Sequence, residues 1–166
     1  MHRRTIEGKR FALLADTHDN LVDWPAALGA ITKAAGAVDG FIHCGDLSTP
    51  RTLDTLAEIA PVWAVRAKDD PPADDDRLVD GGRVLDVGDV RVGVVFSLVP
   101  GAGAADALFG ERVDVCVFGG THAPAIVAAG GTVYVNPGSP TLAKKRSLGI
   151  MSVDNGCASL ELVAIE

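Results

Sequence analysis

Three short stretches place acidic and imidazole side chains just past apolar runs. Asp16-Thr17-His18 follows Phe11–Ala15, Gly45-Asp46 follows Phe41–Cys44, and Gly119-Gly120-Thr121-His122 follows Val113–Phe118. Two carboxylates and two imidazoles form a complete coordination shell for a borderline divalent ion such as Mn, Fe, Ni or Zn. Asp16 and His18 are two residues apart, so in extended backbone they face the same way and can grip one ion. One such stretch alone reads as a polar turn after a strand. Its recurrence at several strand ends favours a metal site, present or ancestral, through Asp16, His18, Asp46 and His122.

The elements that must position these residues follow from apolar patterning. Phe11–Leu14, Gly40–Cys44 and Val62–Arg66 read as buried strands. Between them, Asp23-Trp24-Pro25 opens a helix with Asp23 as N-cap, and Gly36 stops it. Thr49-Pro50 opens a second helix, expected over 51–60. Alternation of strand and helix predicts parallel pairing through right-handed crossovers, with ligands bound beyond the carboxyl ends of the strands. Asp69–Asp76 is acidic and proline-rich and reads as a solvated loop. Later segments turn antiparallel: a hairpin about Gly88-Asp89, a short helix over 103–110, strands near Ile126 and Val133–Val135, and a closing hairpin about Asn155-Gly156. His2 is expected at a frayed end, and His43, inside a strand, as a packed residue rather than a ligand.

At 166 residues the chain is expected to be one domain, 1–166, with a core large enough to bury about two-thirds of its unfolded surface. The pattern suggests an α/β fold of two facing mixed sheets with helices outside. A formal charge of −7 argues against nonspecific binding to nucleic acid or anionic membrane, which require a basic face. No apolar run reaches the roughly 18 residues of a membrane span, and no signal peptide is evident. Cys44, Cys116 and Cys157 are widely spaced and odd in number, as expected for reduced thiols in a cytoplasmic protein. A serine hydrolase is disfavoured: there is no Gly-x-Ser-x-Gly elbow, and nothing near Ser97 or Ser139 in sequence would activate them.

Asp16-Thr17-His18, Gly45-Asp46, Gly119-Gly120-Thr121-His122 and Asn136-Pro137-Gly138-Ser139 together resemble the calcineurin-like metallophosphoesterase superfamily. More narrowly, the chain is similar to its small prokaryotic phosphodiesterase branch, which includes a eukaryotic relative serving as a sorting-complex scaffold. The resemblance implies a four-layer α/β/β/α sandwich and a two-metal site. By it, Asp16, His18, Asp46 and His122 would bind the first metal, with Asp46 bridging to a second, and Asn20 would lie near the substrate. It also implies a phosphodiester or phosphate ligand, and leaves open a homo-oligomer or a protein partner.

The pattern departs from the family at the second metal. The Gly-Asn-x-Asp motif falls on Ala67-Lys68-Asp69-Asp70, a His-Gly motif falls on Phe96-Ser97, and the first histidine of Gly-His-Thr-His is Gly120. All three private ligands of the second ion are missing, while all four of the first are kept. One divalent metal is therefore expected, with weak or lost phosphodiester hydrolysis, or a non-catalytic binding module on the same fold. Two placements of Lys68 stay open. Its ammonium either partly balances Asp16 and Asp46 or holds a phosphate oxygen, which would make Lys68 substrate-binding and, with Asp46, catalytic, or it points to solvent.

Overall fold

The computed structural model describes residues 1–166. In chain order its elements are β1 (His2–Ile6), β2 (Arg10–Leu14), α1 (Trp24–Ala35), β3 (Gly40–His43), α2 (Arg51–Ala57), β4 (Val62–Val65), β5 (Leu78–Val79), β6 (Gly82–Val87) and β7 (Val90–Val95). They continue with α3 (Ala104–Phe109), β8 (Val115–Val117), β9 (Ala125–Ala129), β10 (Thr132–Asn136), β11 (Ser147–Asp154) and β12 (Cys157–Ala164). One sheet runs β12-β11-β2-β3-β4-β5 and the other β1-β6-β7-β8-β10-β9. β2, β3, β4 and β5 pair in parallel, and β11 joins β2 antiparallel.

β2 is apolar at every position but its first because both of its faces are covered. Phe11 and Leu13, with Ala15 just beyond, point between the sheets, where they meet Leu85, Val92, Val94, Val117 and Val135. Ala12 and Leu14 point the other way, onto Trp24, Ile31 and Ala35 of α1 and Leu53 and Leu56 of α2. On the far side, Val84, Cys116 and Tyr134 pack against Ala105 and Phe109 of α3. The result is the four-layer α/β/β/α sandwich. Cys44 and Cys116 are small core residues, both buried and both free thiols. The longest helix has 12 residues, and no helix is long and apolar enough to cross a membrane.

Asp23 caps α1 by accepting the Ala26 N–H at 3.2 Å, and Gly36 ends it at φ 66°. Three expectations are corrected. His2 is not in a frayed end: it opens β1, which pairs in parallel with β6. Its residues are mostly exposed and polar, so no apolar alternation marks it; the ladder is reinforced by Arg3, which reaches Asp86 at 2.8 Å and Glu111 at 2.7 Å. α2 ends at Ala57 rather than 60, where the chain tightens and the Ile59 N–H turns back three residues to the Leu56 carbonyl. Within the acidic loop, Asp70 is buried, 5% exposed, rather than solvated.

Candidate metal centre

Asp16 and His18 follow β2, Asp46 follows β3, and His122 follows β8, all at the carboxyl ends of their strands. The fold brings the four together, with one ligand atom from each lying within 4.8 Å of the others. His18 Nε2 is 3.6 Å from Asp46 Oδ2, and His122 Nε2 is 3.8 Å from Asp16 Oδ1. The two imidazoles stand 5.4 Å apart, tilted by 50°.

Backbone conformation singles out the same residues. Six non-glycine residues have positive φ, and four of them are Asp16 (54°), His18 (41°), Asp46 (59°) and His122 (59°). Left-handed backbone costs a side-chain-bearing residue on the order of 1 kcal/mol or more, and such strain gathers where function demands a particular aim.

The surrounding structure holds that strain in place. The β2–α1 and β3–α2 loops are joined by backbone hydrogen bonds from Asp16 N–H to Gly45 O (2.9 Å), His18 N–H to Asp46 O (3.0 Å) and Asp19 N–H to Leu47 O (3.0 Å). Asp16 Oδ2 accepts the Gly120 N–H at 3.0 Å, tying the first loop to that of His122. Ser139 Oγ donates to Asp16 O at 2.8 Å, and Thr141 Oγ1 to Thr17 O at 2.8 Å. Asn136 Nδ2 donates to Thr121 Oγ1 at 2.9 Å, so the Asn136–Ser139 turn braces two of the loops.

The donors suit a cation. Asp16 Oδ1 and His18 Nε2 are buried and have no hydrogen-bond partner, a costly state unless something meets them. Burial pushes the Asp16 carboxyl up to about 6, against the pull of the Gly120 N–H and of His122. Burial likewise raises Asp46, with nearby Asp70 adding to the rise and His18 opposing it. A divalent ion would favour both anions and satisfy both orphaned atoms. The residues present fit a metal.

Asn20 and Lys68 are both exposed, and neither side chain hydrogen-bonds or ion-pairs within the chain. The Phe96 ring packs across two glycines beside the cluster. A Cβ on Gly45 would lie 3.0 Å from Phe96 Cδ2, and one on Gly120 3.4 Å from Phe96 Cζ.

Three further residues support the site. His43 is wholly buried, accepts the Gly45 N–H at Nδ1 (3.0 Å) and sits 3.0 Å from Thr17 Oγ1 through Nε2. Burial depresses its imidazole to about 3. Asp19 Oδ2 accepts from Thr49 Oγ1, Thr52 N–H and Thr52 Oγ1, fixing the start of α2 beside the site. Asp70 binds the Asp46 loop. Only its place in the Ala67–Asp70 motif could have flagged it.

A sandwich of two sheets carrying two Asp and two His at its strand ends defines a metallophosphoesterase-type protein. The calcineurin-like phosphoesterase superfamily domain matches residues 10–156, and the chain belongs to that superfamily. It is 30% identical over 148 residues to a probable metallophosphoesterase of Methanocaldococcus jannaschii, covering 85% of this chain and 73% of that one. Among solved structures it resembles an archaeal phosphodiesterase (TM-score 0.70, 18% identity, covering 92% of this chain and 99% of that one). It also resembles Vps29 from Entamoeba histolytica complexed with zinc (TM-score 0.64, 19% identity, covering 95% and 99%).

Proposed function

We propose that the chain binds one divalent metal ion through Asp16, His18, Asp46 and His122 and acts on a phosphodiester or phosphate ligand, with hydrolysis weak or lost. The observation that carries this reading is the convergence of four donor atoms within 4.8 Å. A bound ion would supply a Lewis acid for a phosphoryl oxygen and lower the pKa of a coordinated water. The chain's own part is to hold two carboxylates and two imidazoles in aim. Asp16 is fixed through Oδ2 and its carbonyl, leaving Oδ1 free. His18 and His122 present Nε2 to the same centre. Asn20 and Lys68, exposed and unpartnered, are available to a phosphate approaching from solvent.

The second position is proposed to be closed. By family resemblance its private ligands would come from positions 68, 96 and 120, which hold Lys68, Phe96 and Gly120. The Phe96 ring packs against Gly120 and Gly45 in their stead. A symmetric two-metal clamp on the attacking and leaving oxygens could not then form.

A second reading, a binding module of the scaffold kind, is favoured by a hollow at the other end of the sheets. Val90, Val115, Ile126, Val133, Ala158 and Leu160 line it. Val90 and Val115 open the strands that end near Phe96 and the His122 loop. Hydrolysis of an aryl phosphodiester with Mn supplied separates the two. The parent is expected to be slow, and the combined Lys68→Asn, Phe96→His and Gly120→His variant faster by about tenfold or more. Rapid metal-dependent turnover by the parent overturns impaired catalysis, and none by either protein favours the scaffold.

A further inference from the structure

The motif Ala67-Lys68-Asp69-Asp70 has lost its second-metal ligand position but keeps its aspartate, and the packing around that aspartate supplies a reason. Asp70 Oδ1 accepts the N–H groups of Leu47 (2.8 Å) and Ser48 (3.1 Å), and Oδ2 those of Asp46 (2.8 Å) and Ala67 (2.9 Å). One buried carboxylate thus gathers four backbone donors, three of them consecutive from the metal-ligand residue onward. Charge-assisted hydrogen bonds of this kind are roughly twice as strong as neutral ones. Two of the three consecutive residues, Asp46 (φ 59°) and Ser48 (φ 79°), are left-handed, so the carboxylate sits where the backbone most needs holding. The loop that carries Asp70 is itself pinned. Arg66 Nη2 donates to Asp70 O at 2.8 Å, its Nε to Pro71 O at 2.6 Å, and the Asp70 N–H closes onto Ala67 O at 3.1 Å.

We infer that Asp70 is a positioning residue for the first metal: it fixes the left-handed Asp46 loop, and thereby aims the Asp46 carboxylate at the ion. This rests on the metal-binding reading above. The effect extends past Asp46, because Asp46 O and Leu47 O accept the N–H groups of His18 and Asp19. A shift of the 46–48 backbone would therefore drag the loop that carries His18.

Asparagine at this position keeps one acceptor oxygen and turns an NH2 group toward two N–H donors. Calorimetric titration with zinc, starting from chelator-dialysed protein, tests the inference on the parent, Asp70→Asn and Asp69→Asn, the last an exposed neighbour. Loss of a group that orients a ligand commonly costs 10–100-fold in affinity, so Asp70→Asn is expected to bind zinc about 10–100-fold more weakly, and Asp69→Asn within about twofold of the parent. The zinc-induced rise in melting temperature should shrink in Asp70→Asn, whereas a purely structural role would lower the metal-free and zinc-loaded melts alike and leave that rise intact. Folded Asp70→Asn that binds zinc within about threefold of the parent overturns the inference. If the variant does not fold, amide exchange in the parent decides: zinc should slow exchange at Asp46, Leu47 and Ser48, and unchanged rates there overturn it. A parent that takes up no zinc defeats the metal-binding reading itself, and this inference with it.

Discussion

The two sides of the donor cluster at the carboxyl ends of β2, β3 and β8 are built on opposite principles. On one side stand Asp16, His18, Asp46 and His122, strained in backbone, partly orphaned in hydrogen bonding, and braced by Ser139, Thr141, His43 and Asp70. On the other, Phe96 packs onto Gly45 and Gly120, and Lys68 is exposed. Polar strain persists only where surrounding structure enforces it, and here the enforcement converges on the four donor residues. An aromatic ring needs no such support, only room, and the room comes from two glycines with φ of 103° and 92°. The contrast is what the proposal of one metal position kept and a second closed would require.

The largest test of that contrast is Gly120→His with Phe96 retained. The new side chain meets the Phe96 ring and must adopt φ near 92°, so a loss of about 2–4 kcal/mol is expected in denaturant unfolding. Phe96→Ala made together with it should relieve the crowding, leaving a coupling of about 1 kcal/mol or more in a double-mutant cycle. Additive losses would mean that the ring does not share this space.

A smaller effect probes the braced side through His43, whose imidazole is depressed to about 3 by burial. Protons bind the unfolded imidazole first, near its usual value of about 6.5. Stability from the neutral buried form is therefore fully present above that pH and is lost as pH falls toward the folded value. Between pH 7 and 5 the expected loss is about 2 kcal/mol. In chelated protein the raised Asp16 carboxyl acts in the opposite sense, gaining stability as pH falls through about 6. Urea unfolding of the parent and His43→Asn in chelator at both pH values isolates the His43 part, which should be missing from the variant. Equal pH dependence in the two would place the imidazole's charge elsewhere in the balance.

The smallest expected effect belongs to Lys68. Exposed and unpartnered, Lys68→Met should shift stability by no more than about 0.5 kcal/mol with or without metal. A clear loss confined to the chelated protein at neutral pH would instead put its ammonium beside Asp16 and Asp46.

What was legible in the sequence follows from how far each signal reaches along the chain. β2 and β3 are short apolar runs because helices and the facing sheet cover them on both sides, so pattern alone located the strand ends and the four candidate ligands. Asp23 and Gly36 announce α1 through local capping chemistry. β1 stayed hidden because its pairing with β6 spans some eighty residues and leaves its side chains mostly in water. β5 is only two residues long, too short for any period to show. Asp70 escaped for a related reason. Acidic, proline-rich composition describes a loop's average, whereas Asp70 is set by four donors, three of them more than twenty residues away in sequence. For His43 the packing was legible from its place in an apolar strand, and only its bonds to Gly45 and Thr17 were not.

The most direct measurement of the central claim is the metal content of the protein by elemental analysis, after loading with excess zinc or manganese and exhaustive dialysis. One ion per chain is expected, lost when Asp46 or His18 is replaced by alanine and retained when Lys68 is replaced by methionine. Two ions per chain that both withstand dialysis would contradict it.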